Sequence, residues 1–188
     1  MTTCLLYYGT SEGQTAKIAL RIRDRLVERG ITVDVIESPA SAPVDSSRYD
    51  AVLIGDSIHA GHYHRPVLKY IREYRDALRT LPTGFFSVCL SASSPEPKQQ
   101  EQAKAFVDGM IDATQWRPDC VGIFAGALQY SKYGLIKRWM MRKISASDGR
   151  ETDTAHDYEY TNWNNVDAFA EAFADHLGSR PEPVATPA

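Results

Sequence analysis

Short, almost unbroken apolar runs alternate strictly along this chain with longer stretches whose apolar residues recur at helical spacing. The runs are Thr3–Tyr8, Thr32–Ile36, Ala51–Ile54, Gly84–Cys89 and Val121–Phe124. A strand apolar on both sides belongs in a parallel sheet with helices on both faces. Between the runs, Ala19, Ile22 and Leu26 share one helical face, and Val67, Tyr70, Ile71, Tyr74 and Leu78 share another, with Pro66 suited to a first turn. Ala103, Phe106, Val107, Met110 and Ile111 form a third face; Val166, Phe169, Ala170, Phe173 and Leu177 form the last, with Thr161 or Asn162 as its N-cap. This order predicts a doubly wound α/β domain with right-handed crossovers over residues 1–178. No repeat is visible. Residues 179–188, with three prolines and no apolar period, are expected to be disordered.

One connection breaks the pattern. Residues 127–160 join the fifth run to the last helix, where such loops normally take about 2–6 residues. Its first half, Ser131 to Ser147, carries Lys132, Lys137, Arg138, Arg142 and Lys143 without one acidic residue. Leu135, Ile136, Trp139, Met140 and Ile144 interleave with them. That mixture suits a helix lying on an anionic membrane surface, a helix packed on its own domain, or contacts to an anionic substrate.

Charge and cysteines exclude other classes. With 21 Lys and Arg against 24 Asp and Glu, the net charge of −3 carries no signature of nucleic-acid binding. No apolar run approaches the roughly 18 residues of a membrane span, and the N-terminal residues do not read as a secretion signal. Cys4, Cys89 and Cys120 are far apart and odd in number, which fits small buried hydrophobes in a reducing cytoplasm rather than a disulfide framework or a zinc site.

In an open α/β sheet, ligands bind beyond the carboxyl ends of the strands. Three segments lie there. Gly9-Thr10-Ser11-Glu12-Gly13-Gln14-Thr15 offers three hydroxyls and a helix N-terminus, a cradle for an anion. It lacks the lysine of a nucleoside-triphosphate loop and the GxGxxG of a dinucleotide site, and so suits a single phosphomonoester. A polar turn capping a helix has the same composition. The segment Gly55-Asp56-Ser57-Ile58-His59-Ala60-Gly61-His62-Tyr63-His64 supplies glycines for close approach and rings for stacking. His59, His62 and His64 read as ring packing, a solvated loop or, without a completing cysteine or second carboxylate, least well as a metal set. The small residues of Leu90-Ser91-Ala92-Ser93-Ser94-Pro95-Glu96-Pro97 would let a planar ligand lie edge-on against the backbone.

Together these segments resemble the flavodoxin-like fold. The blocks Gly55-x-Ser57-Ile58-x-x-Gly61-His62-Tyr63-His64, Gln115-Trp116-Arg117-Pro118-Asp119, Ala125-Gly126-Ala127-Leu128-x-Tyr130 and Gly149-x-Glu151-Thr152-Asp153-Thr154 are similar to the quinone-dependent protoporphyrinogen IX dehydrogenases. Phe86-Ser87-Val88 and Tyr160-Thr161-x-Trp163 resemble the same family. The resemblance implies a five-stranded parallel sheet in the order 2-1-3-4-5 and FMN as cofactor. Its phosphate would rest on Thr10, Ser11, Glu12, Gly13, Gln14 and Thr15, and its ring between Ser57, Ile58, His59, Gly61 and His62 on one side and Leu90, Ser91, Ala92 and Gly126 on the other.

It further implies oxidation of protoporphyrinogen IX, with a membrane quinone as electron acceptor, by a cytoplasmic protein at the inner face of the cell membrane, and allows a homo-oligomer. His59, His62 and His64 are the candidate proton acceptors, histidine titrating near neutral pH. Lys132, Lys137, Arg138, Trp139, Arg142 and Lys143 are the candidate membrane or substrate contacts. Two positions depart from the family pattern: Asp56 stands where a small residue is expected, and the loop after the fourth run is rich in Ser, Pro and Glu rather than basic residues.

Alternatives are an FMN electron carrier with no substrate of its own, a phosphoacceptor receiver domain using Asp56, and an NAD(P)H:quinone reductase. The receiver would need an acidic pair where Tyr7-Tyr8-Gly9 stands and a lysine where Ala125-Gly126-Ala127 stands.

Overall fold

A computed structural model describes residues 1–40, 42–128 and 158–179. The basic segment Lys132, Lys137, Arg138, Trp139, Arg142 and Lys143 and residues 180–188 lie outside them. Five parallel strands form one sheet: β1 (Thr3–Tyr8), β2 (Thr32–Glu37), β3 (Ala51–Ser57), β4 (Thr83–Val88) and β5 (Cys120–Phe124), in the order β2-β1-β3-β4-β5. The order 2-1-3-4-5 implied by the family resemblance is therefore the order found.

The helices are α1 (Gln14–Glu28), α2 (Arg65–Glu73), α3 (Arg75–Leu78), α4 (Pro97–Thr114) and α5 (Trp163–Gly178). Between β5 and α5, the pair β6 (Ala127–Leu128) and β7 (Tyr158–Glu159) runs antiparallel.

Alternation along the strands sorts the side chains into two cores. Cys4, Leu6, Leu53 and Phe86 face α1 and α5, where Ile18, Ile22, Phe169 and Phe173 meet them. Leu5, Tyr7, Ile54 and Phe85 face α2 and α4 with Val67, Ile71, Met110 and Trp116. Burial pushes the Cys4 thiol up to about 12, so it packs as a hydrophobe.

Several expectations shift in detail. The strand β3 runs three residues past Ile54 to Ser57 because Gly55 and Asp56 keep pairing with Phe86 and Ser87. The anticipated helix through Leu78 breaks at Tyr74 into α2 and α3. β2 lies at the sheet edge and is only half-buried, so its apolar run is not covered on both faces. Asn162, not Thr161, caps α5: its side chain accepts from the amides of Asn164 and Asn165.

Candidate functional site

Tyr8, Ser57, Val88 and Phe124 end four neighbouring strands, so the loops that follow them meet on one rim of the sheet. The loop after β1 is anchored by Gly9, whose amide donates to the Gly55 carbonyl at 2.9 Å. Thr10 Oγ1 accepts from the Gly13 amide at 2.9 Å, which closes the turn. Gly13 then takes a left-handed conformation (φ 95°) as the N-cap of α1, and no side chain caps that helix. The first amides of an uncapped helix face outward, where an anion can meet them. Thr10 is half-buried, Ser11 exposed, Glu12 and Gly13 half-buried, and Gln14 and Thr15 buried.

Gln14 locks the start of α1 to the rest of the rim. Thr161 Oγ1 donates its proton to the Ala125 carbonyl (2.7 Å), so it must accept from Gln14, whose Nε2 stands 2.9 Å away. This fixes the orientation of the Gln14 amide and leaves Oε1 buried without a hydrogen-bond partner. A buried acceptor beside the start of α1 fits a polar ligand that brings its own donor. Nearby, Glu159 accepts from Lys17 and from the Trp163 indole, tying β7 to α1 and α5.

The loop after β3 folds as a tight hairpin. Ala60 (φ 49°) and Gly61 (φ 82°) both occupy the left-handed region, and His59 and His62 bond back to back across the turn at 2.9 and 3.1 Å. Both imidazoles are exposed, and His59 Nδ1 lies 3.9 Å from Glu12 Oε1. The three aromatic positions after Gly61 separate completely. His62 is on the surface, whereas Tyr63 points inward, donates to Ser87 Oγ at 2.8 Å and packs edge-on against Phe85. The expected flat tyrosine surface is thus part of the core.

His64 takes a third role. Its Nδ1 stands 2.5 Å from Asp56 Oδ1, its amide donates to Asp56 Oδ2 at 2.9 Å, and its Nε2 stands 2.7 Å from Ser11 Oγ. Asp56 is fully buried and also accepts from the Ser57 amide at 2.8 Å. Burial pushes the Asp56 carboxyl upward, opposed by its bonds to His64 and Ser57. The Asp56 hydrogen bond raises the His64 imidazolium above its ordinary value, with Glu12 adding to it. The charge that the departure at Asp56 adds to this rim is therefore paired within the fold. Sequence reasoning gave Asp56 no partner; the signal was a carboxylate closing a buried strand, with a histidine eight residues on.

Leu90, Ser91 and Ala92 form a half-buried 3-10 turn (Leu90–Ser93) after β4, and Gly126 is buried after β5, its carbonyl accepting from Tyr160. A hollow of about 960 Å³ opens beside the hairpin, lined by Tyr7, Ala40, His62, Arg65, Lys69 and Tyr74. It adjoins the rim but does not contain the loop after β1. Among the described residues, no group of His, Cys, Asp and Glu is arranged to hold a metal ion, and no helix is long and apolar enough to cross a membrane.

Residues 5–155 match the model of the flavodoxin domain. The chain is 36% identical over 177 residues to the protoporphyrinogen IX dehydrogenase [quinone] of Escherichia coli (strain K12), covering 94% of this chain and 97% of that one. The chain belongs to the flavodoxin-domain family, among the quinone-dependent protoporphyrinogen IX dehydrogenases. The namesake from Leishmania major is 32% identical over 172 residues, covering 91% of this chain and 74% of that relative. A short-chain flavodoxin associated with a non-canonical PDU bacterial microcompartment superposes with a TM-score of 0.58 at 15% identity, covering 94% of this chain and 99% of that one. Membership in the flavodoxin family implies a flavin cofactor, and the uncapped start of α1 and the partnerless Gln14 Oε1 fit a polar ligand that carries both acceptors and donors.

Proposed function

We propose that this chain is an FMN-dependent protoporphyrinogen IX dehydrogenase that passes electrons to a membrane quinone in porphyrin and haem biosynthesis. The near end-to-end relation to the E. coli enzyme carries this reading, and the lysine-free cradle supports FMN over larger nucleotides. Conversion of protoporphyrinogen IX to protoporphyrin IX removes six hydrogens, so three quinones become three quinols for each macrocycle. The bound flavin supplies two-electron transfer between these partners.

The chain's residues bind, orient and move protons. Thr10, Ser11 and Thr15, with the amides of Glu12 and Gln14, hold the phosphate; the hairpin Ser57–His62 and the turn Leu90–Ala92, with Gly126, bracket the ring. Proton loss from the macrocycle falls to His59 or His62, which are exposed on the hairpin, because His64 has both ring nitrogens engaged. Arg65 and Lys69, on the rim of the neighbouring hollow, are cations of the kind that hold carboxylates. The basic insert brings the protein to the anionic inner face of the membrane, where the quinone resides.

The test is anaerobic mixing of protoporphyrinogen IX with the FMN-loaded protein. Bleaching of the flavin together with the appearance of protoporphyrin fluorescence is the expected result. Yellow protein that stays yellow overturns the dehydrogenase reading and leaves an electron carrier.

A further inference from the structure

We propose that Asp56, His64 and Ser11 form one relay that turns the Ser11 hydroxyl into a directed donor to the flavin phosphate, backed by an imidazolium in place of the missing lysine. The proposal rests on the FMN reading above. Three observations carry it. The relay is continuous, with 2.5 Å from Asp56 Oδ1 to His64 Nδ1 and 2.7 Å from His64 Nε2 to Ser11 Oγ. Its inner end is rigid, since Asp56 is fully buried and held by the Ser57 and His64 amides. Its outer end, Ser11, is exposed within the loop that leads into the uncapped start of α1.

The proton inventory decides what Ser11 presents. With His64 doubly protonated, Nδ1–H donates to Asp56 and Nε2–H donates to Ser11 Oγ. The serine proton is then free to point outward at an anionic oxygen. With His64 neutral, Nδ1–H stays on Asp56, and Nε2 becomes an acceptor that captures the serine proton. Ser11 then turns lone pairs toward the phosphate, which repels it. The order of groups is that of a hydrolase nucleophile, base and orienting carboxylate, but here the serine sits in an anion cradle.

Burial of His64 favours the neutral ring, but the Asp56 bond outweighs it and favours the charged form. Asp56 at the end of β3 is hydrogen-bonded, and Glu12 in the loop after β1 adds its charge. A dianionic phosphate would act in the same direction. The loop after β1 packs against the ring, since a Cβ on Gly9 would lie 3.3 Å from His64 Nδ1.

The experiment compares FMN and riboflavin, which differ only by the phosphate, by fluorescence titration of flavin-free full-length chain between pH 7 and 9.5. In that window the phosphate, whose second pKa is about 6, keeps its charge. For the wild type, FMN should bind more tightly than riboflavin, and this preference should shrink as pH rises through the raised His64 value. Ser11→Ala, at an exposed site with no consequence for folding, and His64→Gln should each weaken FMN about tenfold. Both should leave riboflavin unchanged; His64→Gln should flatten the pH profile, Ser11→Ala should reduce its amplitude, and the double variant should be no worse than His64→Gln alone. Asp56→Ala should shift the wild-type profile to lower pH. FMN preference within twofold of wild type in both Ser11→Ala and His64→Gln would overturn the relay while leaving FMN binding intact. Wild-type protein that binds neither flavin would overturn both.

Discussion

Gly9 and Asp56 are packed so closely that a Cβ on the glycine would come within 2.7 Å of Asp56 Oδ1. The same Cβ would lie 2.7 Å from Val67 Cγ2. The path of the loop after β1 over the end of β3 thus depends on a missing side chain. Gly9→Ala should cost about 1–3 kcal/mol, the usual penalty of overpacking, read from the denaturation midpoint. Combining it with Asp56→Ala should recover only part of the loss, because the Val67 clash remains.

Tyr63 and Ser87 form a buried hydroxyl pair at 2.8 Å. Burial raises the tyrosine hydroxyl well above its ordinary value, so it remains a donor at every accessible pH. Tyr63→Phe should destabilise the fold by about 1–2 kcal/mol, since it strands a buried partner. Adding Ser87→Ala should cost little more. A double-mutant cycle by urea denaturation checks the coupling.

Asp167 on α5 is gripped by Arg21 Nε and NH2 at 2.7 Å and by Arg25 NH2 at 2.9 Å, both from α1. The Arg21 bond first, then Arg25, holds its carboxyl well below the usual carboxylate range. A depressed value means stability that is present above the unfolded value near 4 and lost as pH falls below it. Asp167→Asn should therefore lower the melting temperature at pH 7 and converge with wild type as the pH is taken down from 4. The pair is partly exposed, so added salt should narrow the difference at pH 7.

If the proposed function holds, the basic insert serves quinone access and not flavin chemistry. Deleting 135–144 should leave the flavin absorbance and FMN affinity unchanged. Turnover with a quinone embedded in anionic vesicles should drop at least about tenfold, as expected when several basic residues worth about 1 kcal/mol each leave the surface. Turnover with a water-soluble quinone should persist. Equal rates with both acceptors would remove the membrane role from this segment.

Much of the rim is legible in the amino-acid sequence. Apolar runs and helical periods are one-dimensional signals, and so are the hydroxyls of Thr10, Ser11 and Thr15 ahead of a helix. What escaped was direction. His62, Tyr63 and His64 are consecutive, yet they end on the surface, in the core and on a buried carboxylate. The hairpin at Ala60-Gly61 sets the phase of the backbone, and that phase depends on two left-handed residues, one of them an alanine, a residue that rarely adopts this conformation.

The sequence by itself determined the layer architecture and which loops gather at the carboxyl ends of the strands, because alternating apolar periods bury their faces in a helix-covered parallel sheet, and such a sheet places its loops at the strand ends. Tertiary structure alone decided that Asp56 faces His64, that His64 reaches Ser11, and that Gln14 must turn its amide toward Thr161. Those are pairings between residues 8, 53 and 147 positions apart, and hydrogen-bond geometry becomes defined only once the packed strands bring donors and acceptors to bonding distance.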